Sequence, residues 1–309
     1  MKTLGVVIVT HNSEPVIGEC LKSLEQADAD VVVVDNASSD GTCRRVLSEP
    51  AVSLIANPWN RGFAAAVNQG IGVLDTPYVL LLNPDAVVIR GLDALVAADA
   101  AVAGGMLVDD HGRPQAGFMV RRFPTARTLA AEALGLNRLF PGSAANREYR
   151  CADLDPQSEC DVEQPAGAFL LVRRDVWQAL GGFDERFEPL WFEDVDFCKR
   201  VAAATHRIRY VPAAVARHAG GHSAGQLPFS VKEAFWYGNL LRYAAKHLCP
   251  RDFWVVCAAV MLGSCFRTAW GILRWGSLEP VSVYSKVFRL AVRFLASGRH
   301  ENLRLNRIL

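Results

Sequence analysis

A strand predicted at residues 79–82 ends in the polar tripeptide Asn83-Pro84-Asp85. Its continuous apolar run is typical of a strand that is buried on both faces of a parallel sheet. Pro84 cannot continue a central strand, so the chain must turn after Asn83. Ligands of open α/β sheets bind outside the carboxyl ends of the strands. Asp85 is therefore a candidate to bind a metal ion or to face a phosphate, although the same tripeptide is also a common turn.

A second polar cluster follows the apolar run at residues 31–34, which is also predicted to be a strand. The cluster begins with Asp35 and Asn36 and continues to Thr42. At the end of a strand, the Asp35 carboxylate can accept hydrogen bonds from a nucleobase N–H group or a ribose hydroxyl. The same residue types also favour a turn that only caps the next helix, so both interpretations stay open.

A pair of carboxylates, Glu193 and Asp194, stands at the start of a run with helical spacing. A helix that begins near Glu193 would place both at its positive end, where free N–H groups and the helix dipole favour the ionised form. Asp194 then shares a face with Phe197, while Asp196 points elsewhere. An ionised carboxylate can act as a general base and remove the proton of an attacking hydroxyl. Ordinary N-terminal helix charge explains the same pair without any chemistry.

The elements that must position these clusters alternate along the first part of the chain. Residues 5–9 form a β-branched run, residues 13–26 have the apolar spacing of a helix, and the buried run at 31–34 precedes a helix that begins near Cys43. This alternation predicts βαβ units, a parallel sheet and right-handed crossovers. No G-x-G-x-x-G segment or P-loop accompanies these strands, which argues against a dehydrogenase and an NTPase.

Four segments together resemble the family 2 glycosyltransferases, which have a GT-A fold. They are residues 6–13, residues 33–42, the Asn-x-Gly-Phe-like stretch within residues 57–66, and Asn83-Pro84-Asp85 in the place of the family's metal-binding D-x-D motif. The matches keep the family's order along residues 5–225. The resemblance implies an α/β fold with a Rossmann-like, mostly parallel central sheet flanked by helices, followed here by a C-terminal helical extension.

The same resemblance assigns roles to single residues. A glutamate-aspartate pair supplies the catalytic base in the family, which makes Glu193 and Asp194 the catalytic residues, with Asp194 as the base. Asp85 and His218 are expected to hold a divalent cation, Mn²⁺ or Mg²⁺, on the donor diphosphate. The residues expected to bind the nucleotide sugar are Thr10, Asn12, Asp35, Asn36, Arg61, Gly62, Asn83 and Ser223.

Asn83 stands where the family's motif has its first aspartate. Rhamnosyltransferase-like members often share this form, so the resemblance points to an inverting transfer of L-rhamnose from dTDP-rhamnose. The acceptor would be a cell-surface glycan or one linked to polyprenyl diphosphate. Two alternatives stay open: a non-catalytic module that binds nucleotide sugars or glycans, and a polyprenyl-phosphate glycosyltransferase with true membrane spans.

The expected domain organisation places a catalytic domain at residues 1–225. Its nucleotide-sugar half would cover about residues 1–110, and its acceptor half about residues 111–225. Within the second half, Arg147–Arg150 belongs to a stretch without clear periodicity, which is predicted to be rich in loops. Residues 226–309 are predicted to form a helical extension that associates with a membrane or forms a dimer.

The extension is both basic and apolar. Residues 240–309 contain eleven Lys or Arg and three Asp or Glu, whereas residues 1–239 contain 22 and 29. A helix at residues 281–296 would carry Lys286, Arg289 and Arg293 on one face, as helices on anionic membrane surfaces do. A dimer interface is the rival explanation. Nucleic acid is a weaker candidate partner because the region is rich in Val, Leu, Phe and Trp.

Membrane spans and disulfides are not expected. The uncharged run at residues 253–266 is shorter than a typical span, and the first apolar run is too short for a signal-peptide core. The eight cysteines contain no C-x-x-C pair, which argues against a zinc site. We therefore expect a cytoplasmic protein that is peripheral on the inner face of the cytoplasmic membrane.

Overall fold

A large mixed β-sheet forms the centre of the first of two compact units. The computed structural model describes residues 2–221 and 225–297. Of these, the residues up to 123, 150–185 and 193–226 form the first unit. Residues 124–149, 186–192 and those from 227 onward form the second.

The secondary structure has the following bounds. The strands are β1 (Leu4–Thr10), β2 (Ala29–Asn36), β3 (Val52–Asn57), β4 (Tyr78–Leu82), β5 (Ala86–Arg90), β6 (Val102–Val108), β7 (Val120–Arg121), β8 (Cys160–Asp161), β9 (Gln164–Pro165), β10 (Phe169–Arg173) and β11 (Ile208–His218). The helices are α1 (Glu14–Lys22), α2 (Thr42–Leu47), α3 (Phe63–Gly72), α4 (Leu92–Ala97), α5 (Ala126–Ala133), α6 (Leu136–Leu139), α7 (Ala144–Tyr149), α8 (Arg174–Ala179), α9 (Glu193–Ala203), α10 (Phe229–His247), α11 (Pro250–Trp275) and α12 (Glu279–Ala296).

The main sheet has the strand order β3-β2-β1-β4-β10-β6-β11-β5, and β8 pairs with β11. Strands β1, β2, β3 and β4 run parallel to their neighbours, as do β6 and β11. Strand β10 is antiparallel to both β4 and β6, and β5 is antiparallel to β11. The expected α/β fold with a mostly parallel central sheet is confirmed.

Both faces of the sheet are buried, which explains the uninterrupted apolar runs in the sequence. In β1, Val6 and Ile8 belong to one buried cluster, whereas Val7 and Val9 belong to a second cluster on the opposite face. Strand residues alternate between the two faces, so a doubly covered strand needs apolar residues at every position. All eight cysteines are free thiols.

The strand register brings the polar clusters to one edge of the sheet. Thr10 pairs with Asp35 across β1 and β2, and Ile8 pairs with Leu82 across β1 and β4. Asp35 and Asn83 therefore follow neighbouring strands at the same edge. At the end of the strand order away from β3, antiparallel pairing sets Ala86 of β5 opposite His218 of β11.

The stretch predicted to be rich in loops contains three short helices. Helix α5 begins at a capping box. The Thr125 hydroxyl accepts a hydrogen bond from the backbone N–H of Thr128, and the Thr128 hydroxyl accepts one from the backbone N–H of Thr125. Helix α6 follows after Gly135, whose φ of 75° only glycine adopts readily. Arg147 belongs to α7 and not to a loop.

The second unit is helical, and besides the C-terminal residues it includes residues 124–149 and 186–192, which the prediction placed in the acceptor half. Helix α12 buries one face, formed by Val283, Val287, Leu290, Ala291 and Phe294. Its basic residues Arg289 and Arg293 are exposed. Lys286, predicted to share their face, is half-buried, and the apolar Phe288 and Val292 are exposed as well.

Helix α11 is longer than the uncharged run predicted, because it continues through Arg267. The Arg267 guanidinium donates hydrogen bonds to the carbonyl oxygens of Glu132 (3.0 Å) and Ala133 (3.4 Å) at the end of α5. Among the described residues, Pro250–Arg274 alone has the length and apolar composition of a membrane span, and 39% of its most apolar stretch is buried within the protein.

A buried ion pair fixes α9 against the loop before it. The Asp196 carboxylate is fully buried and lies 2.9 Å from Nε of Arg200, one turn later in the helix. The two terminal nitrogens of Arg200 donate to the carbonyl oxygens of Leu180 (2.8 Å) and Gly182 (2.7 Å). Asp196 thus faces inward to support the helix, away from Asp194.

We expect Asp196→Ala to lower the free energy of unfolding by about 2–4 kcal/mol, because the change leaves Arg200 partly buried without its carboxylate. Urea unfolding followed by circular dichroism measures this loss. Asp75→Ala is the matched control, since Asp75 is 82% exposed in its pair with Arg174 and exposed pairs contribute about 0–1 kcal/mol. Equal effects of the two substitutions would contradict the proposed anchor.

Candidate active site

The Asp35 carboxylate is held in place at the end of β2. It is 1% exposed, and its Oδ1 accepts a hydrogen bond of 2.7 Å from the Thr10 hydroxyl. The backbone N–H of Ser38 donates to Oδ2 at 2.8 Å, and the Ser38 hydroxyl donates to Oδ1. A carboxylate has room for about four hydrogen bonds. These three hydrogen bonds and a fourth from the Cys43 thiol fill that capacity from within the protein.

Asn36 connects the same strand end to the loop before α3. Its Nδ2 donates to the carbonyl oxygen of Gly62 (3.1 Å), and its Oδ1 accepts from Nδ2 of Asn57 (3.0 Å) and from the backbone N–H of Arg61 (3.4 Å). Gly62 has a φ of 83°, so this turn requires glycine. The backbone of Arg61 is positioned by Asn36, and its side chain is exposed.

Asn12 holds the loop after β2 against the loop after β1. Its backbone N–H donates to the Ser38 hydroxyl at 2.8 Å, and its side-chain oxygen accepts from the backbone N–H of Ser39 at 2.8 Å. Asn12 has a φ of 48°, a conformation that asparagine tolerates better than most residues. These contacts fix the loop that carries Ser38, a hydrogen-bond partner of Asp35.

The structure brings Asn83, Asp85 and His218 together. Nε2 of His218 lies 3.4 Å from Oδ1 of Asp85 and 3.3 Å from Nδ2 of Asn83. Nδ1 of His218 lies 3.3 Å from Oε1 of Gln115, whose Nε2 donates to the His218 carbonyl oxygen at 2.7 Å. The imidazole also stacks on the Phe118 ring. Asp85 and His218 are both almost fully buried.

These residues fit a divalent cation only in part. A carboxylate and an imidazole are ligands suited to Mn²⁺, and two atoms bound to one cation at about 2.0–2.2 Å lie roughly 3–3.5 Å apart, close to the observed separation. The Gln115 contact favours a proton on Nδ1, so the Nε2 lone pair accepts from Nδ2 of Asn83 and would have to exchange this bond for a cation. Across residues 2–221 and 225–297, no group of three or more His, Cys, Asp or Glu side chains could hold a metal ion. The other ligands would have to come from the diphosphate or water.

Asp194 lies in the first turn of α9 and is held by backbone amides. Its Oδ2 accepts from the N–H of Gly167 at 3.0 Å, and its Oδ1 accepts from the N–H of Val195 at 2.8 Å. A methyl group on Gly167 would lie 3.1 Å from this Oδ2. Glycine is therefore the residue that allows this close approach.

Burial raises the pKa of both carboxyl groups of the pair. Burial raises the pKa of Asp194 above its ordinary value, although the amides of Gly167 and Val195 and the charge of Arg121 oppose the shift. The pKa of Glu193 is raised well above its usual range by burial and then by the Asp194 charge. Oε2 of Glu193 is buried and has no hydrogen-bond partner among residues 2–221 and 225–297. At Glu193 desolvation therefore opposes the stabilisation of the ionised form that was expected from the helix end.

Two residues of this site were missed from the sequence. Gln115 lies in a stretch without clear periodicity, and only the fold sets it beside His218. Gly167 is one of several small residues before β10, and its contact with Asp194 depends on two elements that are distant in sequence. Ser223, predicted to bind the nucleotide sugar, lies outside the described residues.

Comparison with known proteins identifies the family. Residues 5–122 match the family model for glycosyl transferase family 2. The N-acetylglucosaminyl-diphospho-decaprenol L-rhamnosyltransferase of Mycobacterium tuberculosis is 31% identical over 270 residues, which cover 79% of this chain and 85% of that protein. The chain belongs to glycosyltransferase family 2. It is a nucleotide-sugar-dependent glycosyltransferase, so the expectation of an enzyme is confirmed.

Solved structures agree with the fold at low sequence identity. Residues 1–349 of TarS from S. aureus, in complex with UDP-GlcNAc, match with a TM-score of 0.56 and 18% identity, over 100% of this chain and 84% of that one. The mannosyltransferase PcManGT from Pyrobaculum calidifontis, in complex with GDP-Man and Mn²⁺, matches with a TM-score of 0.51 and 17% identity, over 99% and 86%. These likenesses support the GT-A fold.

We expect Gly167→Ala to lower kcat for sugar transfer by about tenfold, because displacement of a catalytic group by a fraction of an ångström is costly. The added methyl group would press on the Asp194 carboxylate. Initial-rate kinetics with thermal unfolding would separate this effect from lost stability. Gly72→Ala is the control, since a methyl group there meets nothing within 4 Å. Unchanged kcat in Gly167→Ala would show that the position of Asp194 is not critical.

Proposed function

We propose that this glycosyltransferase transfers L-rhamnose from dTDP-rhamnose, with inversion, to a glycan carried on polyprenyl diphosphate. The observation that carries the proposal is the Asp194 carboxylate, which two backbone amides orient at the start of α9 and whose pKa burial raises. The relative from M. tuberculosis, named for a diphospho-decaprenol acceptor and for rhamnose, supports the choice of sugar and acceptor.

The chemistry assigned to Asp194 is that of a general base. Its carboxylate removes the proton of the acceptor hydroxyl while that oxygen attacks the anomeric carbon of the donor. The bond from this carbon to the nucleotide diphosphate breaks, and the diphosphate departs from the opposite face. A raised pKa makes a carboxylate a stronger base at neutral pH. We assign the neutral form to Glu193, which the upward shift of its pKa favours and which keeps a second negative charge away from the base.

The nucleotide sugar is assigned to the polar edge beyond β1, β2 and β4. In this assignment a hydroxyl or N–H of the base or ribose replaces one of the internal hydrogen bonds of Asp35, and Thr10 and Asn36 hold its surroundings. The exposed Arg61 guanidinium can face a phosphate. This assignment keeps residues 1–110 as the nucleotide-sugar half and residues 111–225 as the acceptor half.

Asp85 and His218 would hold a divalent cation on the donor diphosphate, with Asn83 beside them. When bound, the cation neutralises the charge that develops on the leaving diphosphate. The solved mannosyltransferase with GDP-Man and Mn²⁺ supports this part of the proposal. Since Asn83 replaces a carboxylate, the protein alone should bind the cation weakly.

The surface of α11 supports association with the inner face of the cytoplasmic membrane. Its exposed apolar residues recur at helical spacing and include Trp254, Leu262, Phe266, Trp270 and Leu273. The extension around them is strongly basic. A second copy of the chain would bring the same positive charge to this face, whereas an anionic lipid surface complements it.

We expect Asp194→Asn to fold and to bind dTDP, but to lose rhamnose transfer by about 10²–10⁴-fold, because the amide cannot accept the proton. Transfer is measured with a panel of nucleotide sugars and a polyprenyl-diphosphate-linked N-acetylglucosamine acceptor. In the wild type, kcat/KM should fall as the pH drops through the raised pKa of Asp194, because the base becomes protonated.

Glu193→Gln gives the comparison for this test, because it preserves the neutral state assigned to the residue. Its loss of transfer should be much smaller than that of Asp194→Asn. Wild-type turnover by Asp194→Asn would refute the assignment of the base. Preference for a different nucleotide sugar would refute the assignment of the donor but would leave the base intact.

We expect Mn²⁺ to strengthen dTDP binding at least tenfold in the wild type and to have little effect in Asp85→Ala. Isothermal titration calorimetry with Mn²⁺ or with EDTA measures both affinities. Asp75→Ala is a control that removes an exposed carboxylate elsewhere. The same affinity with and without the cation in the wild type would remove the metal from the proposal.

A further inference from the structure

The second unit contains a cavity of about 370 Å³ that the proposed sugar transfer does not use. Helices α5, α6 and α7 and the connections between them line it. The walls are mostly apolar and include Ala130, Ala131, Leu134, Phe140 and Ala145. The volume lies within the range of pockets that bind small ligands.

The cavity is built on a rigid support within its own unit. Helix α11 packs against α5, whose last carbonyl groups accept hydrogen bonds from Arg267. At the crossing point, a methyl group on Gly263 would lie 2.1 Å from the Ala133 carbonyl oxygen, so only glycine permits the contact. The wall that carries Glu132 and Leu134 is thereby fixed to the long apolar helix.

The surroundings of the cavity favour an amphiphile with an apolar chain. Leu136, Leu139 and Phe140 are 40%, 70% and 62% exposed, so apolar surface continues from the cavity to the solvent. Arg127 also lines the cavity, is exposed, and has no ion pair within the described part of the chain. An anionic head group at Arg127 with an apolar chain in the cavity would satisfy both features.

We propose that this cavity binds a segment of the isoprenoid chain of the lipid-linked acceptor. The inference rests on the proposed function for the acceptor class, but it assigns a site apart from the sugar-transfer residues. A nucleotide is a poorer occupant, because it would bury its polar groups against apolar walls. An isoprenoid chain buries only apolar surface there.

Two neighbouring alanines of α7 give a matched test. Ala145 lines the cavity, whereas Ala144 is exposed and lies outside it. We expect Ala145→Trp to raise KM at least tenfold for an acceptor with a long polyprenyl chain. KM for a short-chain, water-soluble acceptor and kcat for both acceptors should stay unchanged. Ala144→Trp should behave as wild type with both acceptors.

A binding measurement separates the cavity from the reaction. Farnesyl diphosphate is titrated calorimetrically with excess inorganic diphosphate and EDTA present, so that only binding through the chain is counted. We expect a Kd at least tenfold weaker in Ala145→Trp than in the wild type and in Ala144→Trp. Ala131→Trp, in α5, replaces Ala145→Trp if thermal unfolding shows that the latter is misfolded.

Each outcome decides one of the two proposals. If Ala145→Trp binds farnesyl diphosphate as tightly as the wild type does, the cavity assignment is overturned. This holds even if rhamnose transfer is confirmed. If Ala145→Trp loses farnesyl diphosphate binding, the cavity assignment is supported. If the wild-type enzyme at the same time transfers no rhamnose to any acceptor, the proposed function is refuted. A loss of activity that is the same for long and short acceptors would also contradict chain binding.

Discussion

The antiparallel pairing of β10 with β4 is the constraint on which the candidate site depends. At the end of β4, the Asn83 N–H donates to the carbonyl oxygen of Ala168 at 3.0 Å. The preceding residue, Gly167, donates its own N–H to Asp194. The two neighbouring residues Gly167 and Ala168 therefore bond both to the segment that carries Asp85 and to the carboxylate assigned as base. A shift of this strand by one residue would displace both, because successive residues face opposite sides of the sheet.

The sequence was sufficient for the elements that follow local rules. Continuous apolar runs predicted the buried strands, and the polar residues after them marked the edge of the sheet where Asp35 and Asn83 lie. The helix expected near Glu193 begins at that residue. These features depend on periodicity and on where a run of buried residues ends, and both are visible in a single chain.

Other features required the fold. The capping box of α5 has a threonine, Thr128, at the position where Glu or Gln is usual. The start of this helix was therefore hard to predict from the sequence. The contact of Gln115 with His218 and the burial of Glu193 arise from residues far apart in sequence. A pKa that burial controls cannot be inferred from helix position alone, because the desolvation of a carboxyl group depends on everything packed around it.

Arg267 has a consequence for how α11 could meet a lipid bilayer. The helix has the length of a span, yet the guanidinium in its second half is bonded to carbonyl groups of α5. Crossing the bilayer would require these bonds to break, and an arginine at the centre of a helix costs about 2.5–3.5 kcal/mol on insertion scales. Lying flat leaves the bonds intact. In the proposed association with a membrane, the arginine thus opposes threading of the helix through the bilayer, and both helix ends would stay on the same side.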